Sequence, residues 1–368
     1  MKTAVITDGK YRSSLAAVRE LGKAGYRVVV TQTRQDSKLP PAPFDSVYTD
    51  EHFWIEGSCK DAEYGDRLLA LLKQFDHPVL LCTGAVTLNT VSRRREEFAR
   101  YADFLVSAPE VLDALNDKEQ VHQRAKELGI PVPAEYDGIP GRFPVVIKPH
   151  CGEKAGLKAR DRYAIASNPE EFKACIASME QFDPNPIVQE KIVGAGEGAN
   201  LLLDRDSRLI CAMCHRRIRE FPASGGPSTC CESFYDEEMI RSAYRLLASF
   251  CFTGMAMVEF KGGKILEVNP RVWGSFPMTV CCQSRYTELY AAAAQGQTVQ
   301  YHAGGYRSGT RMRFLFNDGA ATLDYLRRGR FGKAIGGVLD LFRVREALYD
   351  KDDRHAYRSY LRNSLRDR

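Results

Sequence analysis

The first third of the chain alternates apolar strands with amphipathic helices, and this alternation limits the fold more than any other feature. A short apolar strand at residues 4–7 precedes a helix at 13–23 that Gly25 ends, and a β-branched strand follows at 27–31. The pattern continues with a helix at 64–75, a strand at 79–82, a helix at 88–101 and a strand at 104–107. Strands separated by helices at this spacing predict a parallel, doubly wound sheet with right-handed crossovers.

The turn after the first strand gives limited information about ligands. It reads Asp8-Gly9-Lys10 and lacks the GxGxxG fingerprint, so we do not expect classical NAD binding. Gly84 follows the strand at 79–82, where it forms either a ligand-facing turn or an ordinary loop.

Length and composition favour a chain of several compact units. With 368 residues, 44% hydrophobic and 27% charged, the chain is expected to form two or three units. The longest apolar stretches fall far short of the ~20 residues that span a bilayer, so no transmembrane segment is predicted. The N-terminal residues turn acidic after a few apolar positions, which indicates a buried strand, and we expect a cytoplasmic protein. Eleven cysteines, with adjacent pairs at 230–231 and 281–282, are interpreted as reduced thiols.

The formal net charge of +5 is concentrated towards the C-terminus. Residues 327–368 hold twelve Lys/Arg against six Asp/Glu. This segment is either a solvated helical face or a surface for an anionic partner. Aromatic residues are not interleaved at regular spacing, so a specific nucleic-acid reader is not expected.

The middle of the chain predicts two further units. A helix at 116–128 ends at Gly129, and a buried strand at 143–149 presents Lys148 at its last turn. A strand at 163–166, a helix at 169–179 and a strand at 187–192 complete a small α+β unit. Antiparallel strands at 199–204, 209–217, 256–260 and 264–268, with a helix at 237–250, follow. A strand is predicted at 310–316, and helices at 322–327 and 333–342 are expected to form a C-terminal cap.

The most specific local signal is the strand pair joined by Gly262-Gly263. Glu267, Asn269 and Arg271 share one face of a strand, and pairing brings Glu259 across to them. Two carboxylates and an amide oxygen are ligands that Mg²⁺ prefers, while a guanidinium beside them can clamp an oxyanion. The alternative interpretation is a solvated hairpin with scattered charges.

Taken together, these segments resemble the ATP-grasp superfamily. The resemblance is carried, in order and spacing, by the lysine strand at 144–149, Val188-Gln189-Glu190-Lys191-Ile192, Glu259, and Glu267-Val268-Asn269-Pro270-Arg271. It covers roughly residues 107–277, and the preceding α/β unit is similar to a pre-grasp domain. The resemblance implies a mixed α/β and α+β fold with a pre-grasp domain at 1–108, a lid subdomain at 109–190, a C-terminal grasp lobe at 191–320 and a basic helical extension at 321–368.

The resemblance also implies roles for individual residues. Lys118 and Lys148 resemble the cations that hold ATP phosphates, and Arg217 resembles a cation that approaches the γ-phosphate. Glu190, Lys191 and Ile192 resemble the hinge that contacts adenine, and Glu197 resembles the carboxylate that bonds the ribose. Glu259, Glu267 and Asn269 resemble the metal ligands. Arg271 resembles the residue that stabilises the oxyanion.

One segment departs from the family pattern. The lid is usually dense in glycine, whereas residues 150–159 contain two, so Lys154 or Lys158 is a candidate for charge at the γ-phosphate. Cys151 is interpreted as a plain loop thiol. A small-residue loop at 221–229 is expected to border the acceptor site, and Trp273 either lines the substrate pocket or packs in the core.

The resemblance implies an ADP-forming carboxylate–amine ligase that uses ATP and Mg²⁺, with Mn²⁺ as a possible substitute. Its expected partners are small carboxylate and amine substrates, with a homodimer possible and no specific nucleic acid. Two alternatives stay open. One is a carboxylase or carbamoyl-phosphate-synthase-like enzyme, and the other is a non-catalytic nucleotide-binding scaffold.

Overall fold

A computed structural model of the chain describes residues 2–150, 163–223 and 225–366. These residues form three sheets, of four, three and seven strands. The predicted combination of a parallel α/β unit with antiparallel α+β units is confirmed. Within the described residues, no helix has the length and apolar character needed to cross a membrane.

The N-terminal unit is a parallel sheet with strand order β3-β2-β1-β4. Because the chain runs outward from β1 to β3 and then returns to β4 on the other side of β1, the order reverses between β1 and β4. The elements are β1 (Thr3–Ile6), α1 (Arg12–Lys23), β2 (Arg27–Thr33), a 3₁₀ turn (Ala42–Asp45), β3 (Glu51–Ile55), α2 (Tyr64–Leu72), β4 (Val79–Leu81), α3 (Ala85–Arg93) and α4 (Arg95–Phe98).

Two predictions for this unit are wrong. Residues 104–107 are not a strand, although Phe104, Leu105 and Val106 are all buried; only Asp103 makes an isolated bridge, to Val79. A short apolar run is equally suited to a buried loop, so the pattern alone does not separate the two. The single helix predicted at 88–101 is two helices, interrupted at Arg94.

A helical pair leads from this unit to the small sheet. It consists of α5 (Pro109–Asn116) and α6 (Lys118–Glu127). Asp117 caps α6, since its side chain accepts from the backbone N–H of Glu119 at 2.9 Å and of Gln120 at 3.2 Å. The cap therefore fixes Lys118 as the first residue of the helix.

The small unit has its own sheet and its own core. β5 lies between β6 and β7, and both pairings are antiparallel. Its core contains Val145, Ile147, Phe172, Met179 and Val188. The elements are β5 (Val145–Lys148), β6 (Ala164–Ala166), α7 (Pro169–Met179) and β7 (Ile187–Glu190).

The large sheet has the order β12-β11-β8-β9-β10-β13-β14. Strand β10 was not predicted, because its start lies in the small-residue segment interpreted as a loop, and the helix predicted at 322–327 begins earlier, at Leu315. The elements are β8 (Gly196–Leu203), β9 (Leu209–Glu220), β10 (Ser228–Phe234), α8 (Glu237–Ser249), β11 (Gly254–Lys261), β12 (Lys264–Asn269), α9 (Pro277–Cys281), α10 (Tyr286–Ala294), β13 (Arg311–Arg313), α11 (Leu315–Arg327), α12 (Phe331–Arg343), β14 (Arg345–Glu346) and α13 (Arg354–Arg366).

The two faces of the large sheet have different coverings, and this determines which side chains can meet. On β11, Ala256, Val258 and Phe260 join the cluster that includes residues of α8. Met255 and Met257, which alternate with them, join the cluster shared with the N-terminal sheet. We call these the helix face and the N-terminal face.

Candidate functional site

Two glutamates face each other across the last strand pair of the large sheet. Glu259 on β11 and Glu267 on β12 are directly paired in the antiparallel ladder. The Gly262-Gly263 turn between these strands has positive φ at both positions, +53° and +74°, as a tight two-residue hairpin requires. The predicted hairpin therefore places the two carboxylates opposite each other on the N-terminal face.

Asn269 completes the group of oxygen-bearing side chains. Its Nδ2 lies 3.3 Å from Oε1 of Glu259 and 3.5 Å from Oε1 of Glu267. Its Oδ1 accepts from NH2 of Arg271 at 3.3 Å. An amide that turned over would present Oδ1 to the same point as the carboxylates. Two carboxylates and an amide oxygen form a donor set that suits Mg²⁺. Among the described residues, no group of three or more His, Cys, Asp or Glu is arranged so that it could hold a metal ion.

Cations from three different elements surround the two carboxylates. Arg217 on β9 donates through NH2 to Oε2 of Glu259 at 2.7 Å. Lys118, at the start of α6, places Nζ 3.4 Å from Oε2 of Glu267. Burial, together with the charge of Lys118, lowers the pKa of Lys148, at the end of β5, to about 8, while Glu267 is among the carboxylates that oppose the shift. Together with Arg271, four cationic groups gather around two carboxylates.

The surroundings shift the pKa values of the two carboxylates in opposite directions. Burial raises the pKa of Glu259, and Glu267 adds to the increase although Arg217 opposes it. Burial acts in the same direction on Glu267, but Lys118 and Lys148 outweigh it and the pKa of Glu267 is lowered. A dication at this point would relieve the repulsion between the two groups.

Arg271 connects this cluster to the N-terminal sheet. Its charge lowers the pKa of Glu259 and also counteracts the increase in the pKa of Tyr11, which reaches about 12 mainly because of burial. Tyr11 follows the turn after β1, where Asp8 accepts from Gly84 N–H at 3.1 Å and from Thr87 Oγ1 at 2.9 Å. A Cβ on Gly84 would lie 2.6 Å from Cγ of Asp8, so close approach to Asp8 accounts for this glycine.

The sequence analysis missed a polar network that holds α6 against β12. His122 lies one turn after Lys118, and its ring nitrogens lie 2.9 Å from Oε1 of Glu135 and 3.1 Å from the carbonyl oxygen of Leu266. Gln189 on β7 donates to the same Glu135 oxygen at 2.9 Å. The network joins the helix that carries Lys118 to the residue before Glu267. Scattered histidines gave no pattern from which it could be found.

A second missed group lies beneath Arg217. His215 is 2% exposed, with Asn200 Nδ2 at 2.9 Å from Nδ1 and Ser275 Oγ at 3.0 Å from Nε2. Burial, aided by the charge of Arg217, lowers the pKa of His215 to about 3. The neutral ring therefore accepts from Asn200 and donates to Ser275, and it supports the N-terminal face without adding charge.

Comparison with solved structures reveals the architecture to which this site belongs. Biotin carboxylase from Campylobacter jejuni, in a β,γ-ATP complex, matches with a TM-score of 0.64 and 14% identity over 84% of this chain and 74% of that chain. The biotin carboxylase domain of 2-oxoglutarate carboxylase from Hydrogenobacter thermophilus, a dimer with MgADP, ADP and bicarbonate, matches with a TM-score of 0.63 at 14% identity, with the same shares of each chain covered. Biotin carboxylases are members of the ATP-grasp superfamily. The chain has the ATP-grasp fold.

Pyruvate carboxylase from Rhizobium etli, a longer protein, also matches, with a TM-score of 0.60 and 13% identity over 84% of this chain and 30% of that chain. No protein-family model matches the sequence. No curated protein matches it significantly. At these identities the likeness establishes the fold, and function depends on the residues of this chain.

The segment expected to be the ATP-grasp hinge lies at the crossing from the small sheet to the large one. The Glu190 carboxylate pairs with Lys264 and accepts from Ala134 N–H at 2.8 Å, so its side chain is already engaged. The Lys191 N–H donates to the Pro144 carbonyl at 3.3 Å. Ile192 lies against the Gly262 turn, where a Cβ on Gly262 would come within 2.9 Å of it. Contact with adenine would therefore involve backbone and apolar groups here.

Glu197 is not brought together with the other site residues. On β8 it alternates with the residues of the N-terminal face, and it lies near Arg216 and Asp236. The Glu259–Arg217 pair is on the other face. A strand pattern gives alternation but not which face is covered, so this separation was not visible in the sequence.

Other expectations at the site have mixed outcomes. Trp273 is 1% exposed and packs edge-on against Phe276 and Tyr286, so it is a core residue and does not line a pocket. In the 221–229 loop the Gly226 carbonyl accepts from NH1 of Arg217 at 3.4 Å, which places this loop beside the cluster; Ser224 is not among the described residues. Cys151, Lys154 and Lys158 of the lid also lie outside them.

Proposed function

We propose that this chain is an ATP-dependent ligase that activates a carboxylate as an acyl phosphate and couples it to an amine, releasing ADP and phosphate. The observation that carries the proposal is the Glu259–Glu267 pair, surrounded by cations from three elements, α6, β5 and β9. An ATP-grasp fold supports a nucleotide substrate, and the similar structures include complexes with ATP and with MgADP.

Lys118, Lys148 and Arg217 are the proposed phosphate-binding residues. In the described state Lys118 and Arg217 pair with the carboxylates. Binding of the nucleotide would exchange these partners, because phosphate oxygens can take the cations while the carboxylates take a metal ion. Lys148 gains most from an anion, since a partly desolvated ammonium is unfavourable without one. The backbone of Glu190, Lys191 and Ile192 is the proposed adenine contact.

Glu259, Glu267 and Asn269 are the proposed ligands of Mg²⁺, for which Mn²⁺ is a chemically similar substitute. The carboxylates are suited to a hard dication, and Asn269 would have to turn its amide so that Oδ1 replaces Nδ2 at their side. When bound, the ion would neutralise charge on the β- and γ-phosphates.

The proposed reaction has two displacements. An oxygen of the substrate carboxylate attacks the γ-phosphorus, and the bond to the bridging oxygen breaks as ADP leaves. The amine nitrogen then attacks the acyl carbon, phosphate leaves with the bonding pair, and the nitrogen loses a proton. Arg271, whose NH1 donates to the Val272 carbonyl at 3.2 Å, is the proposed clamp for the oxyanion of this second step.

Two expectations accompany the reaction. Because it consumes ATP, we expect the protein to act in the cytoplasm. A homodimer also stays a prediction, which light scattering of the purified full chain would test.

The direct test is ADP release from MgATP with pairs of small carboxylic acids and amines. We expect release to require one acid together with one amine, and Glu267→Gln to reduce turnover by at least about 100-fold, the scale typical of a lost electrostatic group. Arg216→Gln is the matched control, because this neighbouring cation pairs with Glu232 and lies away from the carboxylates. Turnover that survives Glu267→Gln would contradict the proposal.

A carboxylase is the second candidate, and the similarity to biotin carboxylases favours it. It predicts ADP release that depends on bicarbonate and free biotin and needs no amine. If the protein is a nucleotide-binding scaffold, ADP should bind, but no combination of acid, amine, bicarbonate and biotin should lead to formation of ADP from ATP. The same assay, run with these additions, separates the three.

A further inference from the structure

The C-terminal helical hairpin formed by α11 and α12 has a buried network of ion pairs on its inward side. Asp318 is 0% exposed, and both its carboxylate oxygens accept from Arg219, each at 2.8 Å. Asp340 on α12 lies 2.8 Å from NH1 of the same arginine, and Arg313 lies 3.1 Å from Asp318. This buried network fixes both helices to β9 and β13 of the large sheet, so the orientation of the hairpin is determined.

The outward side of the hairpin is apolar. On α12, Phe331, Ile335, Val338, Leu339 and Phe342 recur at helical spacing and are 45–89% exposed. Leu323 and Leu326 on α11 are 56% and 50% exposed. We call these seven side chains the hairpin surface. A contiguous apolar stripe of this kind marks an interaction surface, unlike single exposed apolar residues.

The charges around the hairpin surface have one sign. The three acidic residues of the two helices are either buried, as Asp318 and Asp340 are, or paired, as Asp324 is with Arg328. Over the described residues 315–345, every exposed charged side chain is cationic. These side chains flank both ends of α12 and are Arg327, Arg328, Arg330, Lys333, Arg343 and Arg345.

We propose that the hairpin surface seats the protein on an anionic lipid bilayer. An outward apolar stripe flanked by Lys and Arg is the pattern of helices that lie in the membrane interface, where the stripe enters the headgroup region and the cations meet anionic lipids. A second copy of the chain is a poorer occupant. A two-fold contact through this surface would bring identical clusters of cations together.

The hairpin also supports the loop beside the carboxylate cluster. The Ala223 N–H donates to Oδ2 of Asp324 at 2.8 Å, and Arg330 donates to the Ala223 carbonyl at 3.0 Å. The same loop reaches Arg217 through the Gly226 carbonyl. Ala223 is 1% exposed and packs with Ala321, Tyr325 and Ala334, so the inward side of the hairpin holds this loop in place.

The test is sedimentation of the full-length protein, without nucleotide, with vesicles of phosphatidylcholine alone or mixed with phosphatidylglycerol. We expect binding to the mixed vesicles only. The double variant Ile335→Ser/Phe342→Ser should weaken it by roughly tenfold or more, because two apolar side chains no longer enter the interface. Ile139→Ser is the matched control, since Ile139 is similarly exposed, at 65%, on another part of the molecule.

The charge contribution is tested separately with Arg327→Gln and Arg343→Gln. Each should weaken binding to the mixed vesicles about fivefold, the effect of one cation near an anionic surface. Unchanged melting temperatures would show that the variants fold. Failure to sediment with anionic vesicles, or equal binding to neutral ones, would overturn the proposal. So would a dimer that the double variant dissociates, which would assign the surface to a second copy. None of these outcomes depends on ATP turnover.

Discussion

At the scale of single residues, the site consists of carboxylates and cations that pair with one another when no ligand is bound. Arg217 holds Glu259, and Lys118 holds Glu267. We expect these ion pairs to add little to stability, because a partly exposed pair contributes little unless its geometry is ideal. The arrangement is better explained as one that can exchange partners with a metal ion and phosphates.

Lys148 gives this interpretation a pH signature. Burial lowers its pKa from 10.5 to about 8, so the ammonium is protonated below pH 8 and loses its proton above it. If phosphates bind the protonated form, ADP affinity should be constant below about pH 8 and fall by up to about tenfold per pH unit above it. Titration calorimetry across this range measures the effect.

Lys148→Arg is the control for this prediction, because a guanidinium stays charged over the whole range. We expect its ADP affinity to be independent of pH near 8. A wild-type affinity that is flat through pH 8, or an arginine variant that shows the same decline, would remove Lys148 from the phosphate site.

The sequence predicted the identity of the clustered residues better than the side of the sheet on which each one lies. Glu259, Glu267 and Asn269 follow from strand periodicity and a Gly-Gly turn, which are local features. Glu197 lies apart from this cluster because its surroundings depend on which face the N-terminal unit covers, and this is set by packing between distant segments. The same packing decides between the two interpretations of Trp273 and places it in the core. His122 and His215 were missed because each acts through partners far away in sequence.

At the scale of elements, the β11–β12 hairpin connects the metal-ligand candidates to the hinge. Gly263 has φ +74°, and a Cβ added to it would have no neighbour within 4 Å, whereas a Cβ on Gly262 would come 2.9 Å from Cγ2 of Ile192 and 3.3 Å from the Val193 carbonyl oxygen. Both glycines therefore adopt a positive φ, but only Gly262 lies against Ile192 and Val193, in the segment that crosses from the small sheet to the large one.

Replacing each glycine with alanine separates these two effects. Both variants should lose about 1–2 kcal/mol of unfolding free energy, the cost of a left-handed non-glycine residue, measured by urea denaturation. Only Gly262→Ala should also raise the KM for ATP, because it displaces Ile192. An equal change in KM for both variants would contradict a role for residues 190–192 in binding the nucleotide.

Elements with strong local signals were predicted from the sequence, and elements defined by their neighbours were not. Helix α7 has the ends predicted for it, and its start is fixed locally, since Asn168 caps it and Pro169 is its first residue. Strand β10 starts among small residues and exists because β9 and β13 pair with it on either side. Its sequence alone favoured a loop.

At the scale of the whole molecule, the C-terminal segment closes onto the N-terminal unit. Arg19 on α1 is 4% exposed and donates through Nε to Oδ2 of Asp353 at 2.7 Å; Asp353, which is 0% exposed, also accepts from Ser46 Oγ and Val47 N–H. A buried charge pair of this kind is costly to break, because the remaining charge has no counterion.

Asp353→Asn tests this closure. We expect a loss of about 3–5 kcal/mol in unfolding free energy, since Arg19 would keep its charge without an opposite one. Asp352→Asn, an exposed neighbour, should change stability by less than about 0.5 kcal/mol. Similar small effects for both would show that the segment is not held by this pair.

The central claim is that Glu259 and Glu267 hold the metal ion of a bound nucleotide, and the magnesium dependence of ADP affinity tests it most directly. Calorimetry with and without Mg²⁺ should show that the ion strengthens ADP binding to the wild-type chain and has no such effect on Glu267→Gln. An equal magnesium effect on both proteins, or no ADP binding to either, would contradict the claim.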